Sequence, residues 1–374
     1  MASTQDTTLV IGGGVVGMAL AFGLARRGER VIVLDGSDRD FRASRGNFGL
    51  IWGQGKGVAM PRYAEISLSS CAQWSTFAAE LEQRTGVDVQ FRGGGGIDLC
   101  MTPEEVAPRL DDYRRSQQAS PGLARRFHWE WLDRNQLEHW LPGIGPDIPG
   151  GTWSPHDGHC NPLLLLRALH AACRSLGVEH RFDHRVDSIH PLATGFEVHT
   201  AQGRFHGTRL ILAAGLGNAS LAPPLGLFGD VFALRGQVLV TERLPITPRL
   251  PTPQVRQTDS GSFQCGETHE RAGLDKATTP ALMEAIARDT LRVYPFLRHR
   301  RMVRAWGALR VMTPDEHPVY EASSRYPGAY SVSCHSGITL AAFHAKQLAE
   351  AIANDHLARE LPEFSGARFD VSTA

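Results

Sequence analysis

Gly12, Gly14 and Gly17 stand at the spacing Gly-x-Gly-x-x-Gly, and Asp35 closes the same stretch, Thr8 to Asp35. These residue types at this spacing suit the holding of a dinucleotide. Gly12 permits a tight turn, Gly14 lets the backbone approach a pyrophosphate, and Gly17 lets a helix pack closely on the preceding strand. The first turn of that helix offers free N–H groups and a partial positive charge to the phosphates. A carboxylate at Asp35 accepts hydrogen bonds from a ribose.

The elements that must position these residues are legible around them. An apolar run, Leu9 to Ile11, enters the glycine cluster. Val15, Val16, Met18, Ala19, Leu20, Phe22, Leu24 and Ala25 then make a small and apolar helix, and Gly28 ends it. Val31 to Leu34 form a second apolar run that stops at the acid. A glycine-rich turn in some other α/β protein would not explain why an acid ends the second strand. The loop that follows, Gly36 to Gly57, is rich in Gly, Ser and Arg, and a loop of that length in a compact protein is usually functional. Ser44, Arg45, Gly46 and Asn47 offer donors to phosphates or to a flavin ring. Phe48, Leu50, Ile51 and Trp52 are apolar and favour burial, which argues against a flexible surface loop.

The chain has 374 residues, enough for two intertwined domains with substantial cores. A formal net charge of +0 gives no electrostatic footprint for nucleic acid or an anionic membrane. The six cysteines form no Cys-x-x-Cys pair and stand at no metal spacing with histidine, so scattered thiols in a reducing compartment are expected. No metal site, signal peptide or transmembrane segment is expected, and the location expected is cytoplasmic.

Further along, Pro61 to Thr85 has helical periodicity. Val87 to Met101 reads as strands around the glycine run Gly93 to Gly96, and Thr102 opens a helix with a capping-box pattern. Asn161-Pro162 opens another helix, which Gly177 stops. Strands follow over 178–184 and 186–190, then a hairpin around Gln202-Gly203 and a buried strand from Leu210 to Gly215. From Asp230 the pattern changes to strands at 231–234, 237–241, 255–258 and 262–265, with a proline-rich connection between them and a helix over Pro280 to Tyr294. Arg304 to Val311 and Ala329 to Ser333 read as strands, and Gly337 to Asn354 as a closing helix.

Four segments in this order resemble the D-amino-acid oxidase family of flavoproteins, the group that contains glycine oxidase and sarcosine oxidase: Gly12 to Asp35, Leu212 to Gly215, Gly307 to Arg310 followed by Thr313-Pro-Asp315, and His335-Ser-Gly337. The resemblance covers nearly the whole chain. It implies an α/β fold: a Rossmann-like FAD-binding domain interleaved with a mainly antiparallel-sheet α+β substrate domain. The expected boundaries give 1–86, 149–228 and 304–374 to the FAD domain, and 87–148 and 229–303 to the substrate domain. The segments Asn47 to Gly57 and Ser333 to Leu340 look like one subgroup: the catalytic subunits of D-hydroxyproline dehydrogenases and opine oxidases, and the glycine-oxidising cyanide synthase subunit. That subgroup implies carboxylate-bearing amines as substrates and the possibility of a hetero-oligomer. Electrons would pass to O2, to partner subunits or to a quinone.

The resemblance assigns FAD contacts to Gly12, Gly14, Val15, Val16, Gly17, Asp35 and Gly36, and to Ser44, Arg45, Asn47, Phe48, Gly49 and Leu50 in the loop. It adds Val186, Ala214, Gly215, Gly307 and Arg310, and then Ser336, Gly337, Ile338 and Thr339 in the closing turn. Sarcosine oxidases of this fold attach flavin to a cysteine near the position of Val311 or Met312, so FAD is expected to be non-covalent here. Arg310 is the first choice for a substrate carboxylate, because guanidinium and carboxylate match in a bidentate pair. His335 can hydrogen-bond flavin or substrate, with a structural histidine as the alternative. Lys56 is one of three lysines and follows the loop; a lysine near the flavin promotes reaction with oxygen in some relatives, and a solvated loop lysine is the alternative. Trp52, Gln54 and Tyr63 are candidates to line the substrate pocket. His156 and His159 are weaker ones.

The expected reaction is oxidation of a C–N bond by hydride transfer to flavin, giving an imine. The substrate is a D-amino or cyclic imino acid such as D-hydroxyproline or D-proline, or an opine. A glycine- or sarcosine-type oxidase and a cyanide-forming glycine dehydrogenase subunit are alternatives. Two rivals come from other classes. An NAD(P)-dependent enzyme would share the first motif without the Gly307 and His335 segments. A non-catalytic flavin-binding subunit would hold the cofactor and reduce it with no amine.

Overall fold

The computed structural model describes residues 6–36, 43–247, 249–266 and 268–370; of the expected long loop, residues 37–42 lie outside the described residues, as does Pro248 of the proline-rich connection. Thr7–Ile11 is the hinge of a six-stranded sheet. It pairs in parallel with Arg30–Leu34 on one side and Arg209–Leu212 on the other, so that Ile11 faces both Leu34 and Leu212. Glu179–Arg181 extends the sheet in parallel beyond Arg30–Leu34, and Ala329–Ser333 extends it in parallel beyond Arg209–Leu212. Val319–Ala322 closes that edge antiparallel. The central strands are buried and largely apolar because helices cover the sheet, as parallel sheets require, whereas the edge strand Glu179–Arg181 is polar. The helix Val15–Arg26 is buried along almost its whole length, with only its last residue exposed. It packs with Pro162–Ser175 and the closing helix into one core that includes Leu20, Phe22, Leu169 and Ile352.

This register sets the site. Ile11, Leu34 and Leu212 align, so the turns that follow them, at Gly12, Asp35 and Ala213, emerge side by side at the carboxyl edge of the sheet. Cys334 and His335 follow the neighbouring strand at the same edge. Ligands of open α/β sheets bind at this edge.

The second lobe is antiparallel. Its larger sheet has the order Val255–Gln257, Ser262–Gly266, Phe232–Arg243, Met302–Met312. Gly150–Ser154 pairs with both Gly96–Cys100 and Glu130–Asp133 in a smaller sheet, which the Ile97 N–H ties to the Pro251 carbonyl at 3.0 Å. Ile97, Leu99, Leu132, Leu239, Phe263, Ile286 and Val293 form its core. Gly150–Ser154, just beyond the expected boundary at 148/149, and Met302–Met312, which spans that at 303/304, both pair within this lobe.

Three local expectations need correction. Only Gly96–Cys100 of the 87–101 stretch is a strand, because Gly94 and Gly95 turn the chain at φ of 97° and 127°. Thr102 precedes a short 3-10 turn, Pro103–Glu105, and makes no side-chain cap to it; the helix proper is Val106–Gln118. The closing helix begins at Ala341 rather than Gly337 and passes through a π turn, His344–Leu348. Residues 337–340 wind as a turn in which the Leu340 N–H reaches the Ser336 carbonyl at 3.0 Å. Among the described residues, no helix is long and apolar enough to cross a membrane.

Candidate active site

A long cleft runs along the carboxyl edge of the parallel sheet. Gly12, Gly14, Val15, Val16, Asp35, Gly36, Ser44 and Asn47 line one part of it; Val186, Ala214 and Gly215 line another; His335, Gly337 and Ile338 line its far end. Gly12 has φ of 114°, and a Cβ there would fall 2.3 Å from the Ala213 carbonyl oxygen. A Cβ at Gly17 would fall 2.0 Å from the Gly12 oxygen, so the helix packs on the strand only because both are glycine. Gly17 thus shapes the turn from beneath and does not line the cleft. The Ser44 hydroxyl accepts the Val15 N–H at 3.0 Å at the helix start. A glycine cradle, a helix N-terminus and an acid at the end of the neighbouring strand together fit the pyrophosphate and ribose of a dinucleotide.

A second cavity of about 460 Å³ adjoins the cleft and shares Ala43, Asn47, His335 and Ile338 with it. It is lined by Phe48, Leu50, Trp52, Gln54, Lys56, Arg310, Ser336 and Thr339, all named from sequence. Four expected residues lie elsewhere. Gly49 is buried against the Cys160 carbonyl. Arg45 and Gly307 line a third cavity on the other side of the Gly307 to Leu309 backbone. Tyr63 is buried behind Ser336 and reaches the pocket through it.

The loop and the closing turn meet in one polar cluster. Lys56 Nζ donates to Ser336 Oγ at 2.8 Å and lies 3.3 Å from His335 Nε2. The Tyr63 hydroxyl is 2.8 Å from Ser336 Oγ, which is 3.1 Å from His335 Nε2. Lys56 is therefore held in the cavity and is not a solvated loop lysine. Burial, with Lys56 and Arg310 adding to it, holds the His335 imidazole well below its ordinary pKa. His335 is neutral at pH 7 and can accept a hydrogen bond.

Arg310 sits near the end of the Met302–Met312 strand, and its Nη1 donates to the Thr268 carbonyl at 2.7 Å. That carbonyl is fixed in turn. Thr268 Oγ1 accepts the Gln237 N–H at 2.8 Å, and the Gln237 Nε2 donates to Glu270, which Arg235 holds at 2.7 Å. The guanidinium thus enters the cavity already aimed.

The loop is anchored from below. Gly53 N–H donates to the buried Asp157 carboxyl at 2.5 Å, and Trp52 N–H donates to Thr339 Oγ1 at 3.0 Å. Burial pushes the Asp157 pKa up to about 7. Gln54 is clamped by the Gly96 carbonyl, Tyr113 and Thr152. His156 stacks on His128 outside both cavities. His159 lies 3.0 Å from Arg256 Nη1 and lines the third cavity; burial and Arg256 hold its pKa at about 3. All six cysteines are free and buried. Cys334 lines the cleft, where burial pushes its thiol up to about 12, far from a ready nucleophile. Asp98, Arg109, Gln237 and Gln254 line the second cavity and Arg185 the cleft, and sequence reasoning named none of them. They come from distant elements and carry no local motif.

Comparison with known proteins agrees with this geometry. The family model described as DAO, FAD dependent oxidoreductase, matches residues 7–351. An opine oxidase subunit of Agrobacterium tumefaciens (strain Ach5) is 40% identical over 365 residues, spanning 98% of each chain. The protein of the same name from Rhizobium meliloti is 38% identical over 98% of each chain. The crystal structure of glycine oxidase from Geobacillus kaustophilus matches with a TM-score of 0.85 at 22% identity, over 99% of this chain and 100% of that one. The chain belongs to the DAO family of FAD-dependent oxidoreductases, and its relatives there include enzymes that act on amines and amino acids.

Proposed function

We propose that this enzyme oxidises the C–N bond of a small carboxylate-bearing amine to the imine. The substrate class is a D-amino or cyclic imino acid such as D-hydroxyproline or D-proline, or an opine. One observation carries the reading: the cavity lined by Arg310, Lys56 and His335 adjoins the dinucleotide cleft and shares Asn47, His335 and Ile338 with it. FAD, when bound, supplies the acceptor for the hydride that leaves the carbon beside the nitrogen. Gly12, Gly14 and the Val15 helix would hold its pyrophosphate, and Asp35 its ribose. Asn47 and the turn Ser336 to Thr339 would face its ring.

Arg310 binds the substrate carboxylate and so fixes which C–H bond faces the ring. Neutral His335 stands beside the amine without adding positive charge there, its Nε2 turned to Lys56 and Ser336. Lys56 stays fixed on Ser336 and keeps a cation at the ring end of the pocket. The imine then leaves, as a cyclic imine or for hydrolysis by water. The relative at 40% identity is named as one subunit of an opine oxidase, which supports a hetero-oligomer; the electrons would pass to O2, to a partner chain or to a quinone.

The test is anaerobic addition of D-proline, 4-hydroxyproline, sarcosine, glycine and opines to the yellow holoenzyme. Bleaching by at least one carboxylate-bearing amine is expected. A flavin that none of them bleaches would instead support the non-catalytic flavin-binding subunit.

A further inference from the structure

One segment touches both the dinucleotide cleft and the arginine of the second cavity. Residues 268–279 lie between the strand Ser262–Gly266 and the helix Pro280–Val293, and apart from a single bridge at Glu270 they form no strand or helix. At the start of this strap the Thr268 carbonyl accepts from Arg310 Nη1 at 2.7 Å. Further along, Leu274 lines the cleft and is 55% exposed. The Lys276 carbonyl then lies against Gly307, where a Cβ would fall 2.7 Å from its oxygen. Leu274 is the one large apolar residue of the strap, so polar contacts must place the rest.

Those contacts converge on one strand, Phe232–Arg243. Arg235 is 4% exposed and holds the strap at two points. Its Nε and Nη2 clasp the Glu270 carboxylate at 3.3 and 2.7 Å, a bidentate pair, and its Nη1 donates to Asp275 Oδ2 at 2.6 Å. The backbones of Arg235 and Glu270 exchange hydrogen bonds at 2.8 and 3.0 Å. Gln237, on the same strand, secures both ends: its N–H donates to Thr268 Oγ1 at 2.8 Å, and its side-chain oxygen accepts the Thr279 N–H at 3.0 Å. Glu270 stands two residues from Thr268, and Asp275 adjoins Leu274. Arg235 therefore bridges the end of the strap that aims Arg310 and the turn that lines the cleft.

We infer that Arg235 is a positioning residue that couples the two sites, so that a filled dinucleotide cleft improves binding of the substrate carboxylate on Arg310. This rests on the reading of Arg310 given above. With FAD in the cleft, the exposed face of Leu274 loses water and gains apolar contact, which holds its turn in place. Arg235 carries that restraint from Asp275 to Glu270, and the Thr268 carbonyl then keeps the Arg310 guanidinium aimed. The coupling is reciprocal: a carboxylate on Arg310 tightens FAD by the same factor.

The experiment measures the FAD affinity of the apoprotein with and without saturating pyrrole-2-carboxylate, whose carboxylate-bearing carbon has no hydrogen to lose. In the wild type the carboxylate is expected to tighten FAD on the order of tenfold, within the usual range for coupled sites. Leu274→Ser, at an exposed position, is expected to weaken FAD and to bring the tightening to within about twofold of none. Leu274→Met, which returns an apolar side chain to the cleft, is expected to restore both. Arg235→Met is expected to abolish the tightening. Arg235→Lys serves if the methionine variant does not fold, and it is expected to lose most of the tightening because an ammonium has no fork to span both carboxylates. Unchanged tightening in Leu274→Ser or in either folded Arg235 variant overturns the inference. So does a wild type whose flavin spectrum pyrrole-2-carboxylate perturbs without tightening FAD. If pyrrole-2-carboxylate does neither while carboxylate-bearing amines still reduce the flavin, the inference falls and the amine-oxidation reading stands. If no amine reduces it, both fall.

Discussion

At the scale of single residues, the site depends on two groups whose state is set by what surrounds them. Arg310 is aimed by the Thr268 carbonyl, itself fixed through Gln237 and Glu270. Lysine at 310 would keep a charge and lose the fork. Arg310→Lys is expected to raise KM and lower kcat/KM about tenfold to a hundredfold, with flavin content unchanged; steady-state kinetics beside the flavin spectrum checks this. His335, His159 and His344 are all held below the ordinary histidine range by burial, the last two to about 3. Their unfolded pKa is near 6.5. Above that pH they are neutral in both states, and their contribution to stability is fully present. As pH falls from about 6.5 toward 3, the unfolded chain binds protons that the folded chain refuses, and stability is lost at about 1.4 kcal/mol per pH unit for each such histidine. Thermal melts across that range are expected to show Tm falling with acid, and a His344→Gln variant to show a shallower fall.

At the scale of elements, the loop that carries Trp52, Gln54 and Lys56 is placed by groups from far along the chain: Asp157 beneath it and Thr339 beside it. Asp157 opposes the histidines. Its folded pKa of about 7 lies above the unfolded value of 3.8, so its contribution is present below about 4 and lost as pH rises through 7. Asparagine keeps an acceptor for the Gly53 N–H and removes the buried charge. Asp157→Asn is expected to melt several degrees higher than wild type at pH 8, with the gap closing toward pH 4; melts at the two pH values decide it. The opening motif was legible in sequence because its turn, helix and acid are local. Arg109 and Gln237 were not, because helices and strands far apart in the chain bring them to the pocket. Gly307 and Arg45 line the third cavity, which one short wall, Gly307 to Leu309, separates from the second. The π turn at His344 left no trace in the apolar periodicity, since Phe343 and Leu348 are buried on either side of Lys346 and Gln347, as in an ordinary amphipathic helix.

At the scale of the whole molecule, the parallel sheet gathers four turns at one edge, and the antiparallel lobe covers them with Arg310. The cleft that would hold FAD is built from elements far apart in the sequence, so cofactor binding would be linked to folding. Removing FAD is expected to lower Tm by several degrees, and adding it back at about 100 times its Kd to restore roughly 2.7 kcal/mol; NAD would not restore it. Gly12→Val is expected to yield colourless protein, because its Cβ would land 2.3 Å from the Ala213 oxygen. The alignment of the strand ends, read from sequence as separate motifs, is what makes these motifs one site. The central claim is that Arg310 presents a carboxylate-bearing amine to the flavin. Its most direct test is anaerobic reduction of the wild-type flavin by a carboxylate-bearing amine and by the same amine lacking its carboxylate. Rapid bleaching by the first and little or none by the second is the predicted result; equal bleaching by both, or bleaching by neither, would contradict the account.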